Sequence, residues 1–130
     1  MAKLETRFVI HAHRTTRRGM EIHFDLRLEY NGVLVSWAIP KARIPKKNER
    51  LLSVRVPDHA ISYYDFEGDI KSTYGKGDVR IHDKGKCDII SWKESKIGFE
   101  LYGDNKKAVG TFWLIRMAGS TKNWLWIRAK

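Results

Sequence analysis

Residues 22–30 alternate between polar and apolar side chains, the pattern of a β-strand with one packed face and one face open for chemistry. The polar face carries His23, Asp25, Arg27 and Glu29. Side chains two apart on a strand stand about 6.5–7 Å from one another, so an imidazole, a carboxylate and a guanidinium line up over one patch. Such a patch could hold a metal ion and a phosphate together.

A second alternating segment, residues 7–13, places His11 and His13 on the same face of its strand. One or both of these histidines could meet His23 and Asp25. Two neutral imidazoles and one carboxylate are a common ligand set for manganese, iron or zinc, with positions left for water and substrate. Strands also carry polar outer faces without any metal, so the spacing alone leaves both interpretations open.

Three basic side chains, Arg27, Lys41 and Arg50, are candidates to bind a phosphate, because cationic donors match phosphate oxygens and a guanidinium offers them a rigid fork. For Arg27 the alternative is an ion pair with Glu29 or Asp25 across the sheet. Glu29 itself is expected to be the structural partner of a basic residue.

His59 follows a predicted strand that ends at Val56, and Tyr63 comes four residues later. If residues 60–64 form one helical turn, His59 and Tyr63 share a face. A histidine titrates near neutral pH, so it can donate a proton to a leaving oxygen or stabilise a charged transition state. A solvated loop histidine is the simpler alternative.

A different reading of the His23 and Asp25 pair is the iron triad of an oxygenase, completed by His59 or His82. Such enzymes use an arginine about ten residues after the distal histidine to bind their oxo-acid cosubstrate. Neither His59 nor His82 is followed by an arginine at that spacing, so this reading is disfavoured.

The elements that must position these residues are short alternating segments separated by turn signals, a pattern that predicts a mainly β protein folded as a small barrel or closed sandwich. Only residues 15–20 and 60–66 could form short helical turns. The predicted strands cover residues 7–13, 22–30, 33–39, 51–56, 78–82, 89–92, 97–102, 108–116 and 124–128.

Two turn signals predict hairpins. Asn31-Gly32 suits a type I′ turn that pairs residues 22–30 with residues 33–39. Gly103-Asp104-Asn105 predicts a second hairpin between the strands that flank it. Residues 41–50 follow Pro40, contain Pro45 and carry five basic residues, which favours a solvated loop or a basic lip beside the site.

Length and composition predict one domain over residues 1–130, since the chain can bury its own core but is too short for two ordinary domains. A net charge of +10 favours a polyanionic partner. The single cysteine, Cys87, excludes an internal disulfide and a thiolate zinc cluster and fits a reducing compartment. No segment has the apolar length of a membrane helix, so we expect a soluble, cytoplasmic protein with no membrane partner.

Seven short motifs follow one another along nearly the whole chain. They lie at residues 8–13, 23–29, 32–41, 58–63 (Asp58, His59 and Tyr63), 65–68, 74–79 and 110–116. This ordered set resembles the 3′-phosphoesterase domain of bacterial DNA ligase D and its stand-alone archaeal relatives. No single motif is decisive, but the set in its order is highly specific.

The resemblance implies a small single-domain β-barrel, with one or two short helical turns, that heals 3′ ends of DNA with Mn²⁺ or another divalent metal such as Co²⁺ or Zn²⁺. Carried over to this chain, the metal ligands are His13, His23 and Asp25. His11 occupies a position where the family usually has a glutamine, so it is expected to be a neighbour of the metal site.

The resemblance also assigns residues to the substrate phosphate. Arg27 and Arg50 would neutralise developing charge, His59 would act as general acid or transition-state stabiliser, and Tyr63 would position it. Two further residues match positions near the site. These are Ser36 and Lys41.

Two spacings depart from the family pattern. The segment between His13 and His23 is four residues longer than usual, and its basic residues are expected to reach the DNA backbone. These are Arg14, Arg17 and Arg18. The spacing from Arg50 to His59 is one residue longer than usual, and a β-bulge in that strand could restore its direction.

The predicted activity is removal of a 3′-terminal ribonucleotide or a 3′-phosphate from DNA or DNA/RNA primer-template ends. It would leave a 3′-hydroxyl for a separate ligase and polymerase of an end-joining system. The alternative is a non-catalytic nucleic-acid-binding barrel in which the basic surface and the tryptophans bind DNA.

Overall fold

Nine antiparallel strands form the sheet in this computed structural model, which describes residues 3–15, 21–70 and 77–130. The strands are β1 (Leu4–Thr15), β2 (Glu21–Tyr30), β3 (Val33–Ile39), β4 (Arg50–His59), β5 (Gly68–Ile70), β6 (Gly77–Lys93), β7 (Lys96–Gly103), β8 (Val109–Arg116) and β9 (Asn123–Arg128). The sheet order is β1-β2-β3-β4-β9-β8-β7-β6-β5, and β1 also pairs with β6. Eight strands therefore close into a barrel, which confirms the predicted fold class.

The predicted turns are confirmed where the structure describes them. Asn31 and Gly32 have φ angles of 52° and 82°, as a type I′ turn requires, and the β7–β8 hairpin is also present. Of the two predicted helical turns, the second is a 3₁₀ turn at Ile61–Tyr63. The first falls almost wholly on residues 16–20, which lie outside the described residues.

One strand prediction was wrong. Residues 78–82 and 89–92 were predicted as separate strands, but they belong to the single 17-residue strand β6. Gly85 lies opposite Gly103, and a Cβ at Gly85 would stand 2.4 Å from the Tyr102 carbonyl oxygen. The glycine is therefore needed for close strand packing and does not mark a turn.

The barrel interior is filled by the apolar halves of the alternating strands. Fully buried members include Phe8, Leu26, Trp37, Phe99 and Trp126. Because Trp37 and Trp126 are fully buried, they belong to the core and are not available to stack on DNA bases. Cys87 also lies in this core. No helix in the described ranges is long and apolar enough to cross a membrane.

The outer face of β1, β2 and β3 is partly covered by residues 60–70, which we call the covering segment. Its Tyr64 packs against Val9 and Leu34 in a small second apolar cluster on this face. Polar contacts to β6 also hold it: Asp65 pairs with Lys84 at 2.7 Å, and the Glu67 carboxylate accepts the backbone N–H of Ile81 at 2.8 Å. These contacts help fix the position of the covering segment over the barrel. The site described below lies between this segment and the barrel.

Candidate functional site

Three residues that could bind a metal meet on the outer face of β1 and β2. His13 lies directly opposite His23 in the antiparallel pair, and Asp25 is two residues further on the same face. The potential ligand atoms of His13, His23 and Asp25 all lie within 4.8 Å of one another. Among the described residues, these three form the one group of His, Cys, Asp or Glu side chains placed to hold a metal ion. The group contains neither His59 nor His82, the residues that would complete an oxygenase iron triad.

The chemistry of these three side chains fits a divalent cation. His13 Nε2 is buried and has no hydrogen-bond partner among the residues that the structure describes. Burial, with the nearby His23, lowers the pKa of His13 and favours the neutral form that binds metals. Two imidazoles and one carboxylate suit a borderline divalent ion, and such a set leaves positions for water and substrate.

Asp25 joins the metal-ligand group to the rest of the site. Its Oδ2 is 3.3 Å from His23 Nε2 and 3.4 Å from Arg27 Nη2. Burial alone would raise the pKa of Asp25, but the hydrogen bond from His23 and the charges of His23 and Arg27 outweigh it and lower the pKa. Asp25 is therefore a carboxylate at neutral pH.

Arg27 is the buried cation of the site, with only 3% of its surface exposed. Its Nε donates to His11 Nδ1 at 3.1 Å, and its Nη1 lies 3.2 Å from His59 Nδ1. With the Asp25 contact, three of the five N–H groups of the guanidinium have partners, which leaves donors for a phosphate. Glu29, the other acid considered for Arg27, pairs instead with Arg7, as expected for a structural residue.

His11 supports Arg27 and has no ring nitrogen left for a metal. It is fully buried, and its Nε2 lies 3.1 Å from the carbonyl oxygen of Phe66 in the covering segment. A carbonyl only accepts, so Nε2 carries the proton and Nδ1 is free to accept from Arg27. Burial and the charge of Arg27 lower the pKa of His11 to about 4, so the ring is neutral.

A β-bulge turns His59 toward the same face. Leu34 pairs with His59 and Ser36 pairs with Val56, so β4 has one extra residue between these two pairs. The extra residue reverses the alternation and brings His59 over Arg27. Burial, together with the charge of Arg27, lowers the pKa of His59.

Tyr63 forms an aromatic wall of the site. Its ring centroid is 4.8 Å from that of His59 and 5.2 Å from that of His11. The Arg27 guanidinium lies 5.0 Å from the ring centroid, in cation–π contact. Tyr63 therefore packs against all three nitrogen-bearing side chains at this end of the site.

These side chains line one cleft of about 280 Å³, which we call the phosphate cleft. It brings together six of the residues named from the sequence and adds three apolar residues that sequence reasoning missed. The lining is His13, His23, Asp25, Arg27, Ala38, Val56, His59, Tyr63 and Ile70. The only sequence signal for the missed residues is alternation, which places Ala38 on the outer face of β3.

Arg50 lies apart from the phosphate cleft. It begins β4 opposite Ile127, six residues before Val56, which is about 20 Å along the strand. A bulge does occur in this strand, but it follows Val56 and redirects His59, not Arg50. The structure therefore does not bring Arg50 to the cleft, contrary to expectation.

The remaining predicted residues do not line the phosphate cleft either. Ser36 lies opposite Arg27 but is fully buried, and its hydroxyl donates to the Leu34 carbonyl at 3.0 Å. Lys41 is exposed beyond the end of β3. The Arg14 guanidinium is 3.7 Å from Asp78 on β6. Two predicted DNA-binding residues lie outside the described residues: Arg17 and Arg18.

Comparison with known proteins identifies a family that this chain matches. Residues 11–116 match the model of the DNA Ligase D 3′-phosphoesterase domain. The chain is 34% identical over 132 residues to the multifunctional non-homologous end joining protein LigD of Pseudomonas aeruginosa, and 38% identical over 136 residues to that of Mycolicibacterium smegmatis. Each match covers 95% of this chain but only 15% and 17% of the relative. The chain thus spans about a sixth of the length of these relatives.

Proposed function

Because the chain belongs to the DNA ligase D 3′-phosphoesterase domain family, we propose that it is a metal-dependent phosphoesterase that processes 3′ ends of DNA. Two hydrolyses at one phosphorus would remove a terminal ribonucleotide. The first releases the terminal nucleoside and leaves a 3′-phosphate, and the second releases inorganic phosphate and leaves a 3′-hydroxyl. The observation that supports this most directly is Asp25, which contacts both a candidate metal ligand and the buried cation Arg27.

We assign His13, His23 and Asp25 as the ligands of a divalent metal, with Mn²⁺ as the first candidate and Co²⁺ or Zn²⁺ as others. When bound there, the metal would supply Lewis-acid polarisation of a phosphate oxygen. The buried, unpartnered Nε2 of His13 supports this assignment over a purely structural histidine pair.

Arg27 would bind the phosphate and neutralise the charge that develops on it. Its contacts with His11, Asp25 and His59 fix the guanidinium before substrate arrives, so little reorganisation is needed. Because Arg27 is largely buried, each hydrogen bond from its guanidinium to a phosphate would be electrostatically stronger than the same bond in water.

His59 is better suited to stabilise the transition state than to begin as a general acid. When Nδ1 carries no proton, it can accept a hydrogen bond from Arg27. When Nδ1 is protonated, it can instead donate to the Pro57 carbonyl oxygen, 3.1 Å away. The lowered pKa favours a neutral ring in the free protein. In the tautomer that accepts from Arg27, Nε2–H is left to donate to a phosphate oxygen, and Tyr63 positions the ring.

The substrate class follows from charge and from the family. A net charge of +10 favours a polyanion such as DNA. The relatives are named for non-homologous end joining, so we propose that the 3′-hydroxyl product passes to a ligase or polymerase of such a system. The cytoplasmic location stays a prediction.

The test uses two DNA oligonucleotides, one ending in a 3′-phosphate and one in a single 3′-ribonucleotide. Each is incubated with the protein in Mn²⁺ and in excess chelator. We expect turnover of both only with metal, and its loss in Asp25→Asn. The matched control is Glu5→Gln, which makes the same carboxylate-to-amide change at an exposed site.

Equal turnover with and without chelator would refute the metal assignment. Salt-sensitive DNA binding with no turnover by folded protein would instead identify the non-catalytic barrel.

A further inference from the structure

We propose that a second cleft beside His23 binds the terminal nucleoside of the DNA 3′ end, an inference that rests on the proposed function. This nucleoside cleft has a volume of about 450 Å³, within the range of about 300–1,000 Å³ found for small-ligand sites. Its lining is Glu21, Ile22, His23, Ala38 and Pro40. It lies at the rim of the barrel, where β2 begins and β3 ends.

The nucleoside cleft adjoins the phosphate cleft. His23 and Ala38 line both of them. A group attached to a phosphate held beside His23 and Arg27 would therefore lie within reach of the nucleoside cleft. This adjacency favours an occupant that is attached to the substrate phosphate.

The lining of the nucleoside cleft suits a neutral group. Ile22 is 46% exposed, and with Ala38 and Pro40 it offers an apolar surface to a base and a ribose. The acidic member of the lining, Glu21, can accept hydrogen bonds from ribose hydroxyls. The same carboxylate repels a phosphate, so the cleft is poorly suited to the continuing DNA strand.

We therefore assign the cleft to the nucleoside that leaves in the first hydrolysis. Water attacks phosphorus, the bond from phosphorus to the 5′-oxygen of the terminal nucleoside breaks, and that oxygen gains a proton. A 3′-phosphate end has no such nucleoside. The two substrates thus share the phosphate cleft but differ in their need for the nucleoside cleft.

The experiment measures steady-state kinetics of Glu21→Ala and Ile22→Ser on both substrates. For the ribonucleotide-ended DNA we expect KM to rise about tenfold, the loss of about 1.4 kcal/mol of binding. For the 3′-phosphate DNA we expect kcat/KM within twofold of wild type. The matched control is Leu52→Ser, which removes a similarly exposed apolar side chain (42%) on β4.

Two results would overturn the assignment. An equal loss on both substrates would place the shared DNA strand, and not the terminal nucleoside, in the cleft. No change on either substrate would mean that the cleft stays empty during the reaction. If wild-type protein turns over neither substrate, the proposed function fails and this inference fails with it.

Discussion

The support of Arg27 by His11 gives the sharpest prediction. His11→Ala removes the acceptor of Arg27 Nε and the donor to the Phe66 carbonyl. A hydrogen bond to a charged group contributes about 1.5–3 kcal/mol and one between neutral groups about 0.5–1.5 kcal/mol. The bond to Arg27 is buried and the bond to Phe66 is partly buried. We therefore expect the free energy of unfolding to fall by about 2–4 kcal/mol, a large share of the roughly 5–15 kcal/mol of a typical domain.

Activity should also fall in His11→Ala, because the Arg27 guanidinium would no longer be held in place. A misplacement of about 1 Å in a catalytic group can lower the rate about 100-fold, so we expect kcat to fall by that order in His11→Ala while KM changes less. His11→Gln should retain most of both properties, because an amide oxygen can accept from Arg27 and its NH₂ can donate to Phe66.

Urea unfolding followed by tryptophan fluorescence measures the first quantity, and turnover of the 3′-phosphate DNA with saturating metal measures the second. Metal-induced thermal stabilisation is the control, and it should survive in both variants because His11 is outside the metal-ligand group. The reasoning is refuted if His11→Ala matches wild type in stability and kcat, or if His11→Gln is as defective as His11→Ala.

Four further outcomes are expected. Mn²⁺ should raise the melting temperature of wild type but not of His23→Ala, because a ligand that binds only the native state stabilises that state. A shift retained in His23→Ala would contradict the ligand assignment. Tyr63→Phe should keep most activity and Tyr63→Ala should lose it, because the aromatic ring makes the contacts with His59 and Arg27. Equal loss of activity in both variants would mean that the hydroxyl of Tyr63, and not its ring, is needed. Burial raises the pKa of Tyr64 to about 12, so the tyrosine of the unfolded chain loses its proton at a lower pH than that of the folded protein. The free energy of unfolding, measured by urea titration, should therefore fall between pH 10 and 12, and it should fall less in Tyr64→Phe. Burial also raises the pKa of the Cys87 thiol, so a thiol reagent should modify it only on unfolding.

Local patterns predicted most of the fold. Alternation identified the strands and faces because the period of two is fixed by backbone geometry, and Asn31-Gly32 identified its hairpin because few residues accept positive φ. The closure of the barrel by β1 and β6 was not specified, since their pairing joins distant parts of the chain. Residues 83–88 were not predicted as strand, although they lie within β6 and Gly85 there allows close packing against the neighbouring strand.

The candidate site was predicted unevenly. Residues two apart on one strand, such as His23 and Asp25, keep their relation in any β fold. The relation of Arg50 to His59 depends on strand direction and on a bulge that sequence spacing does not locate. The hydrogen bond between His11 and Phe66 depends on how the covering segment packs, which local pattern does not determine.

The placement of the phosphate cleft on the outer face of a closed barrel has a consequence for the size of what can be processed. A ligand bound inside such a barrel must fit within it, whereas a group bound on the outside can remain attached to a molecule of any length. An outward-facing site can therefore engage the end of a long polymer while the rest of that polymer extends into solvent. The interior, freed from holding substrate, can be packed mainly with apolar side chains.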